Sequence, residues 1–307
     1  MLTFMQTNAD KINFYFDKNI WSDVTKMTEE ELSSFKTLIK PLKEQSRIGI
    51  YYSPIGVLEL IKGLSLETHY EMCQKEVRVA SVISDKHILE YPWDHVRRVA
   101  YSLLQRPFKE FDRLFLNLCR KISISPYNQI EPIIAPTGEM LRKWEKEWSD
   151  SLNTIRLGFR SLDQKGVKEF KEDAWLRRRK EKYWPYLCQQ FSLPEEFKKL
   201  PLDETITKFH SLRYSLDYRI SHENKLLFDN KKARPSDYLD WIQIVYLNIM
   251  DYLVTNDSQL TTILNECKNS ELNKVTMRFS EFLDCIKGQL PQKHAPNSTL
   301  ETWFDAQ

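Results

Sequence analysis

Glycine is scarce in this chain, with seven residues among 307, roughly a third of average usage. The shortage argues against a turn-rich β-sandwich and favours helices. Neither Gly-x-x-x-x-Gly-Lys nor Gly-x-Gly-x-x-Gly occurs, which removes the two commonest glycine-built phosphate cradles. Cysteine offers no framework either. Cys73, Cys119, Cys188, Cys267 and Cys285 are odd in number and scattered, with no Cys-x-x-Cys pair. They read as reduced packing residues of a cytoplasmic protein. No apolar run approaches the ~20 residues of a membrane span, and residues 1–10 lack the basic-then-apolar order of a signal peptide. The six histidines form no zinc motif, and no Gly-x-Ser-x-Gly marks a serine hydrolase.

What remains is a foldable chain, 41% hydrophobic and 29% charged, whose charge is unevenly spread. The formal net charge is +2, but residues 1–60 carry −1, residues 61–236 carry +8 and residues 237–307 carry −5. A basic middle lies between two acidic ends.

The first part has the rhythm of a parallel α/β fold. Lys11-Ile12-Asn13-Phe14-Tyr15-Phe16 is an aromatic, β-branched strand bounded by polar residues. Thr28 and Glu31 make a capping box that opens an amphipathic helix. A second strand follows over 47–52, and Ser53-Pro54 supplies the cap and first turn of another helix. From residue 64 to 233 helical periodicity dominates, predicting helices over 67–83, 96–122, 137–157, 167–191 and 202–216, with breaks at Ser125-Pro126 and Ala135-Pro136. The α/β pattern resumes with a helix over 236–250, a strand at Tyr252-Leu253-Val254, a helix from Gln259, a strand over 274–277 and a last helix from Ser280. The expected division is therefore 1–63 and 234–290 as two parts of one α/β core, 64–233 as a helical insertion and 291–307 as a polar tail.

Chemistry concentrates on carboxylates. Asp17 and Asp257 each lie just beyond a strand, where open parallel sheets bind ligands. Glu59 falls early in the helix after the second strand, and Asp237 and Asp240 stand one turn apart at the start of the 236–250 helix. Acids gathered at one sheet edge repel one another unless cations neutralise them, and hard oxygen donors select Mg²⁺ or Mn²⁺.

The pieces Phe16-Asp17-Lys18-Asn19-Ile20-Trp21, Ser53-Pro54-Ile55-Gly56-Val57-Leu58-Glu59-Leu60, Ser236-Asp237-Tyr238-Leu239-Asp240 and Leu253-Val254-Thr255-Asn256-Asp257 together resemble the PIN (PilT N-terminus) nuclease family. The resemblance covers about 11–63 and 234–287. It implies a PIN-like parallel sheet with flanking helices, and Asp17, Glu59, Asp240 and Asp257 as metal-binding acids. It also implies Asn19 and Thr255 as polar residues that position a ligand or water. The doubled Asp237 and Asp240 leave the third ligand open. The chain departs from simple family members in the 180 positions between Glu59 and Asp240, which require a large inserted module.

The expected activity is therefore a Mg²⁺- or Mn²⁺-dependent nuclease, with RNA favoured over DNA. In a toxin or phage-defence setting, a regulatory or inhibitor protein would be a second partner. The alternative is an inactive PIN-like protein that binds nucleic acid or scaffolds a complex. Arg177-Arg178-Arg179-Lys180, followed by Tyr183-Trp184, is the densest basic run and the candidate contact to phosphates and unstacked bases. Its simpler reading is a solvated helix face. Oligomeric state is left open.

Overall fold

The computed structural model describes residues 11–63, 67–85, 87, 89–108, 114–162, 166, 173–229, 232–267, 276–288 and 290. The first part follows the expected order: β1 (Ile12–Phe16), α1 (Lys18–Lys26), α2 (Glu29–Glu44), β2 (Ile48–Tyr51) and α3 (Pro54–Gly63). The capping box at the start of α2 is formed, with Glu31 N donating to Thr28 Oγ1 at 3.2 Å and Thr28 N to Glu31 Oε2 at 2.8 Å.

Eight further helices follow among the described residues of the middle segment. They are α4 (Glu67–Ile83), α5 (Pro92–Leu103), α6 (Leu114–Ile124), α7 (Tyr127–Arg160), α8 (Asp173–Gln190), α9 (Glu195–Lys198), α10 (Leu202–Lys208) and α11 (His210–Phe228). The chain then forms α12 (Asp237–Gln243), a 3₁₀ turn (Ile244–Asn248), β3 (Tyr252–Val254), α13 (Ser258–Glu266), β4 (Thr276–Met277) and α14 (Phe279–Lys287).

Several expected boundaries are corrected. The single helix over 96–122 is instead α5 and α6. α5 stops where Gln105 takes a left-handed φ of 53° and Arg106 N donates back to Tyr101 O, a tight helix ending sealed by Pro107. The break at Ala135-Pro136 does not occur. α7 runs through Pro132 and Pro136, and the buried stripe Ile130, Ile134, Gly138 and Leu141 holds it against its neighbours. The 202–216 helix divides at Phe209, whose backbone leaves the helical region to bury its ring. The 236–250 helix is α12 followed by the 3₁₀ turn. Positions 274–275 and 291–307 lie outside the described residues.

The four strands are all parallel, in the order β2-β1-β3-β4. From β1 the chain crosses to one side to make β2, and much later returns on the other side to make β3. The strand order thus reverses between β1 and β3, which opens a crevice beyond their carboxyl ends. Asp17 and Thr255 begin there. At the opposite end Asp251 takes the Asn13 amide on its carboxylate at 2.7 Å and donates its own amide to Asn13 O. It is thereby a register lock, remote from the crevice.

Side-chain alternation along each strand feeds two cores. Phe14, Phe16, Ile48, Ile50, Tyr252 and Val254 face α1, α2, α4, α6 and α14. Tyr15, Tyr51 and Leu253 face the other way, into a cluster with Trp148 of α7, Trp184 of α8, Leu212 and Leu216 of α11, and Trp241 of α12. Trp148 stacks on Trp241 at 4.4 Å, and the Arg219 guanidinium lies 3.6 Å from the Trp148 ring centre. Trp241 is wholly buried and donates its indole N–H to Ser215 O at 2.9 Å. The helical segment therefore shares its interior with the sheet.

A shared interior predicts a single cooperative unfolding. Denaturation followed by tryptophan fluorescence and by helical circular dichroism should give coincident curves, and separated transitions would show that the helical segment folds by itself. Trp241→Ala should cost about 3–5 kcal/mol and shift both curves together.

Candidate functional site

Each acid is positioned by an element whose local chemistry is simple. Asp17 follows β1 and caps α1, its Oδ1 accepting from Lys18 N at 2.7 Å. Its Oδ2 accepts from Asn19 Nδ2 at 2.7 Å and Thr255 Oγ1 at 2.8 Å, so both polar neighbours named by the resemblance grip one oxygen. Asn19 Oδ1 in turn accepts from Asn256 N at 3.2 Å, and Asp257 N donates to Thr255 Oγ1 at 3.0 Å. These bonds tie the carboxyl ends of β1 and β3 into one unit across more than 230 positions of sequence.

Asp257 caps α13, with Oδ1 accepting from Gln259 N and Leu260 N at 2.7 and 2.8 Å. Asp17 and Asp257 are thus helix caps as well as crevice residues. Among the described residues the second oxygen of Asp257 accepts no hydrogen bond. Glu59, in the second turn of α3, accepts none at all. Asp240 takes a single long bond from Gln243 Nε2 at 3.5 Å.

Electrostatics shows that these side chains act on one another. Burial pushes Glu59 up to about 8 from an ordinary 4.5, with Asp17 the next cause, and Lys18 and Lys62 pulling the other way. Asp240 is driven well above the usual carboxylate range by burial, then by Asp17, Glu59, Asp257 and Asp237. Asp17 is raised by burial and by Asp257, against the bonds from Thr255 and Lys18. Asp17, Glu59 and Asp240 are therefore raised together, by burial first and then by charge on neighbouring acids.

Asp237 behaves differently. It is 1% exposed, and its Oδ2 accepts from Arg234 N at 2.8 Å and lies 3.2 Å from His222 Nε2. Its Oδ1 accepts from Arg234 Nε at 2.9 Å and Gln259 Nε2 at 3.3 Å. Burial alone would raise this carboxyl, but His222 and Arg234 outweigh it and hold the pKa low. Both oxygens are committed to protein donors.

Several residues of the site gave little sequence signal. Gln243 is buried, accepts from Tyr15 OH at 2.8 Å, and extends its amide towards Asp240. Tyr218, on α11, is wholly buried, and among the described residues its hydroxyl has no hydrogen-bond partner. Burial raises its pKa well above the ordinary value, and Asp240 is the next cause. A buried Gln on a helix and a Tyr in an inserted helix look like any core residue until the fold brings them under the acids.

The basic run lies on α8. The side chains of Arg177, Arg178 and Arg179 are outside the described residues. Lys180 Nζ lies 2.7 Å from Asp217 Oδ1 of α11. The expected aromatic platform is corrected. Trp184 is buried in the core at 4% exposure, and Tyr183 donates to Glu223, so both rings face inward.

Among the described residues no three His, Cys, Asp or Glu side chains are grouped as a ready metal cage. The donor chemistry nevertheless suits a hard divalent cation. Asp17, Glu59, Asp240 and Asp257 offer carboxylate oxygens, and among the described residues Asp240 takes only one long hydrogen bond. Among the described residues the Tyr218 hydroxyl is likewise uncommitted.

No protein-family model matches the chain, and neither a curated protein nor a solved structure is significantly similar to it.

The raised carboxyls set a pH dependence. A carboxyl with a raised pKa holds a proton in the native state that the unfolded chain has released. Its contribution to stability is complete below pH 4.5 and, for Glu59, is lost as pH rises through about 8. Melting temperature in chelator should therefore fall between pH 5 and 9. Glu59→Gln should flatten that fall and melt roughly 2–4 °C higher at pH 9. A parallel, unflattened curve would place Glu59 away from the other acids.

Proposed function

We propose that this chain is a metal-dependent phosphodiester hydrolase, a nuclease with a PIN-like core, acting on nucleic acid. The observation that carries the reading is the convergence of Asp17, Glu59, Asp240 and Asp257 at the β1/β3 crevice, with uncommitted oxygens on three of them. Structural acids on a surface gain little from being brought together, whereas acids that raise one another's pKa destabilise the metal-free fold. A divalent cation relieves that repulsion.

The roles follow from the bonding. Asn19 and Thr255 fix the Asp17 carboxylate in one orientation, while its Oδ1 retains a lone pair beyond the Lys18 amide bond. Glu59 and Asp240 are the adjustable donors, and the free oxygen of Asp257 completes the set. Asp240 is the third acid of this set, because Asp237 spends both oxygens on Arg234, His222 and Gln259. When bound, Mg²⁺ or Mn²⁺ would supply charge neutralisation at the phosphoryl oxygens and a more acidic water. Gln243, braced by Tyr15, steadies Asp240 from below.

The test is direct. Purified protein incubated with labelled RNA and with single- and double-stranded DNA should cleave with Mn²⁺ or Mg²⁺ and stop in chelator. Full cleavage in chelator overturns the reading. Asp17→Asn and Asp240→Asn should each slow cleavage by roughly a hundredfold or more, and Asp240→Asn, which gives up only one long hydrogen bond, should do so without lowering the melting temperature in chelator. Asp237→Asn should instead lower the melting temperature, because the amide replaces one of the two oxygens that accept from Arg234 and removes the charge that faces Arg234 and His222. Metal uptake should also release protons from Glu59 and Asp240. Calorimetry of Mn²⁺ binding at pH 7 should then give a heat that depends on the buffer's ionisation enthalpy. A buffer-independent heat would mean that these groups are already ionised or do not meet the metal.

A further inference from the structure

Arg234 has an unusual combination of fixed root and open head. Its own amide and its Nε both donate to the single carboxylate of Asp237, at 2.8 and 2.9 Å. Pro235 occupies the next position with its fixed φ, and Asp237 N returns a bond to Arg234 O at 3.1 Å. Asp237 is in turn held by Gln259 of α13 and by His222 of α11, so three elements fix one turn. The Arg234 side chain is nevertheless 46% exposed. Gln259, which donates its side-chain amide to Asp237 and its backbone amide to Asp257, joins the Arg234 turn to the Asp257 end of the acidic crevice.

One nitrogen of the fork is spent on Asp237, and among the described residues the two terminal nitrogens keep their donors. Such a group binds a phosphate oxygen pair with little further loss of rotamer freedom. The other cations beside the acids suit the task less well. Lys62 is bonded to buried Glu145 at 2.6 Å, and Lys18 is a flexible point charge.

We propose that Arg234, set in place by Asp237, is a phosphate-binding site for a nucleic-acid backbone phosphate entering the acidic crevice. The proposal rests on the phosphodiesterase reading and adds to it a substrate-binding residue and a positioning residue. A phosphate approaching four carboxylates needs a counter-charge that those carboxylates cannot capture outright. Asp237 provides this by taking the Arg234 amide and Nε itself, which fixes the root of the side chain. If Arg234 served only to neutralise Asp237, it would be needed for folding and would be indifferent to substrate.

The experiment uses the full chain and a fluorescein-labelled single-stranded RNA, with binding read by anisotropy in Ca²⁺ across a salt series. Cleavage in Mn²⁺ is measured alongside. Arg234→Gln should weaken binding about tenfold and make the slope of log affinity against log salt shallower by about 0.7, one phosphate contact on a single strand. Cleavage should show a raised KM with kcat changed much less. Arg234→Lys should restore the salt slope while recovering only part of the affinity, because a point charge lacks the planar fork. It also serves as the second variant if Arg234→Gln melts too low to study.

Wild-type salt slope and KM in Arg234→Gln, with or without a lowered melting temperature, would overturn the proposal and leave the nuclease reading standing. A wild-type protein that neither binds nor cuts would overturn both. A nucleoside monophosphate that displaces the RNA at equal molar concentration would overturn the assignment to a backbone phosphate.

Discussion

The pairing of β1 with β3 is the constraint on which the rest of the structure depends. Phe14, Tyr15 and Phe16 lie in register with Tyr252, Leu253 and Val254. That register alone sets Asp17 beside Thr255 and Asp257, and it aligns the capped starts of α1 and α13. The bonds among Asp17, Asn19, Thr255 and Asn256 then close the strand ends like a clasp. A slip of one residue would turn Tyr15 into the wrong core and send Asp17 away from Thr255. Asp251, bonded twice to Asn13 at the other end, opposes that slip.

Much of this was legible in the sequence because strand ends and helix starts are local. Asp17 after an aromatic strand, Ser53-Pro54 before a helix and Asp257 before another needed only nearest-neighbour chemistry to place. The parallel sheet followed from the alternation of strands with helices at both ends of the chain. The middle was read less well. Periodicity registered that residues 96–122 were helical but missed the left-handed turn at Gln105, and a proline inside α7 looked like a break. Phe209 falls inside the helix expected over 202–216, yet its burial divides that helix. These failures share a cause: packing between distant helices overrode local preference.

The choice between Asp237 and Asp240 shows the same limit at the site. Both acids stand in the first turn of α12, and the shorter interval to Asp257 favours Asp240 in the sequence without saying what Asp237 does. The distinction comes from residues far away, His222 and Gln259, which converge on Asp237 and leave Asp240 with Gln243. Nor did any local pattern mark Tyr218 as a neighbour of Asp240, since it reaches the crevice only because α11 packs on α13 and on the 3₁₀ turn before β3. The helical segment is therefore a wall of the crevice as well as a cover for the sheet. The acids come from the strand-and-helix frame and from α12, while much of their dielectric surroundings is supplied by the segment between them.

The distance between β1 and β3 also has a consequence in time. β1 and β2 are made together, but β3 emerges from the ribosome some 235 residues after Phe16, roughly 12–47 s later at ordinary rates of synthesis. Throughout that interval one edge of β1 carries unpaired backbone donors and acceptors beside Phe14, Tyr15 and Phe16. An open edge of this composition is a template for pairing with another chain. The nascent protein thus depends on something other than its own sheet, whether early helices folding over the hairpin-free edge or a chaperone, to keep that edge single until its proper neighbour arrives.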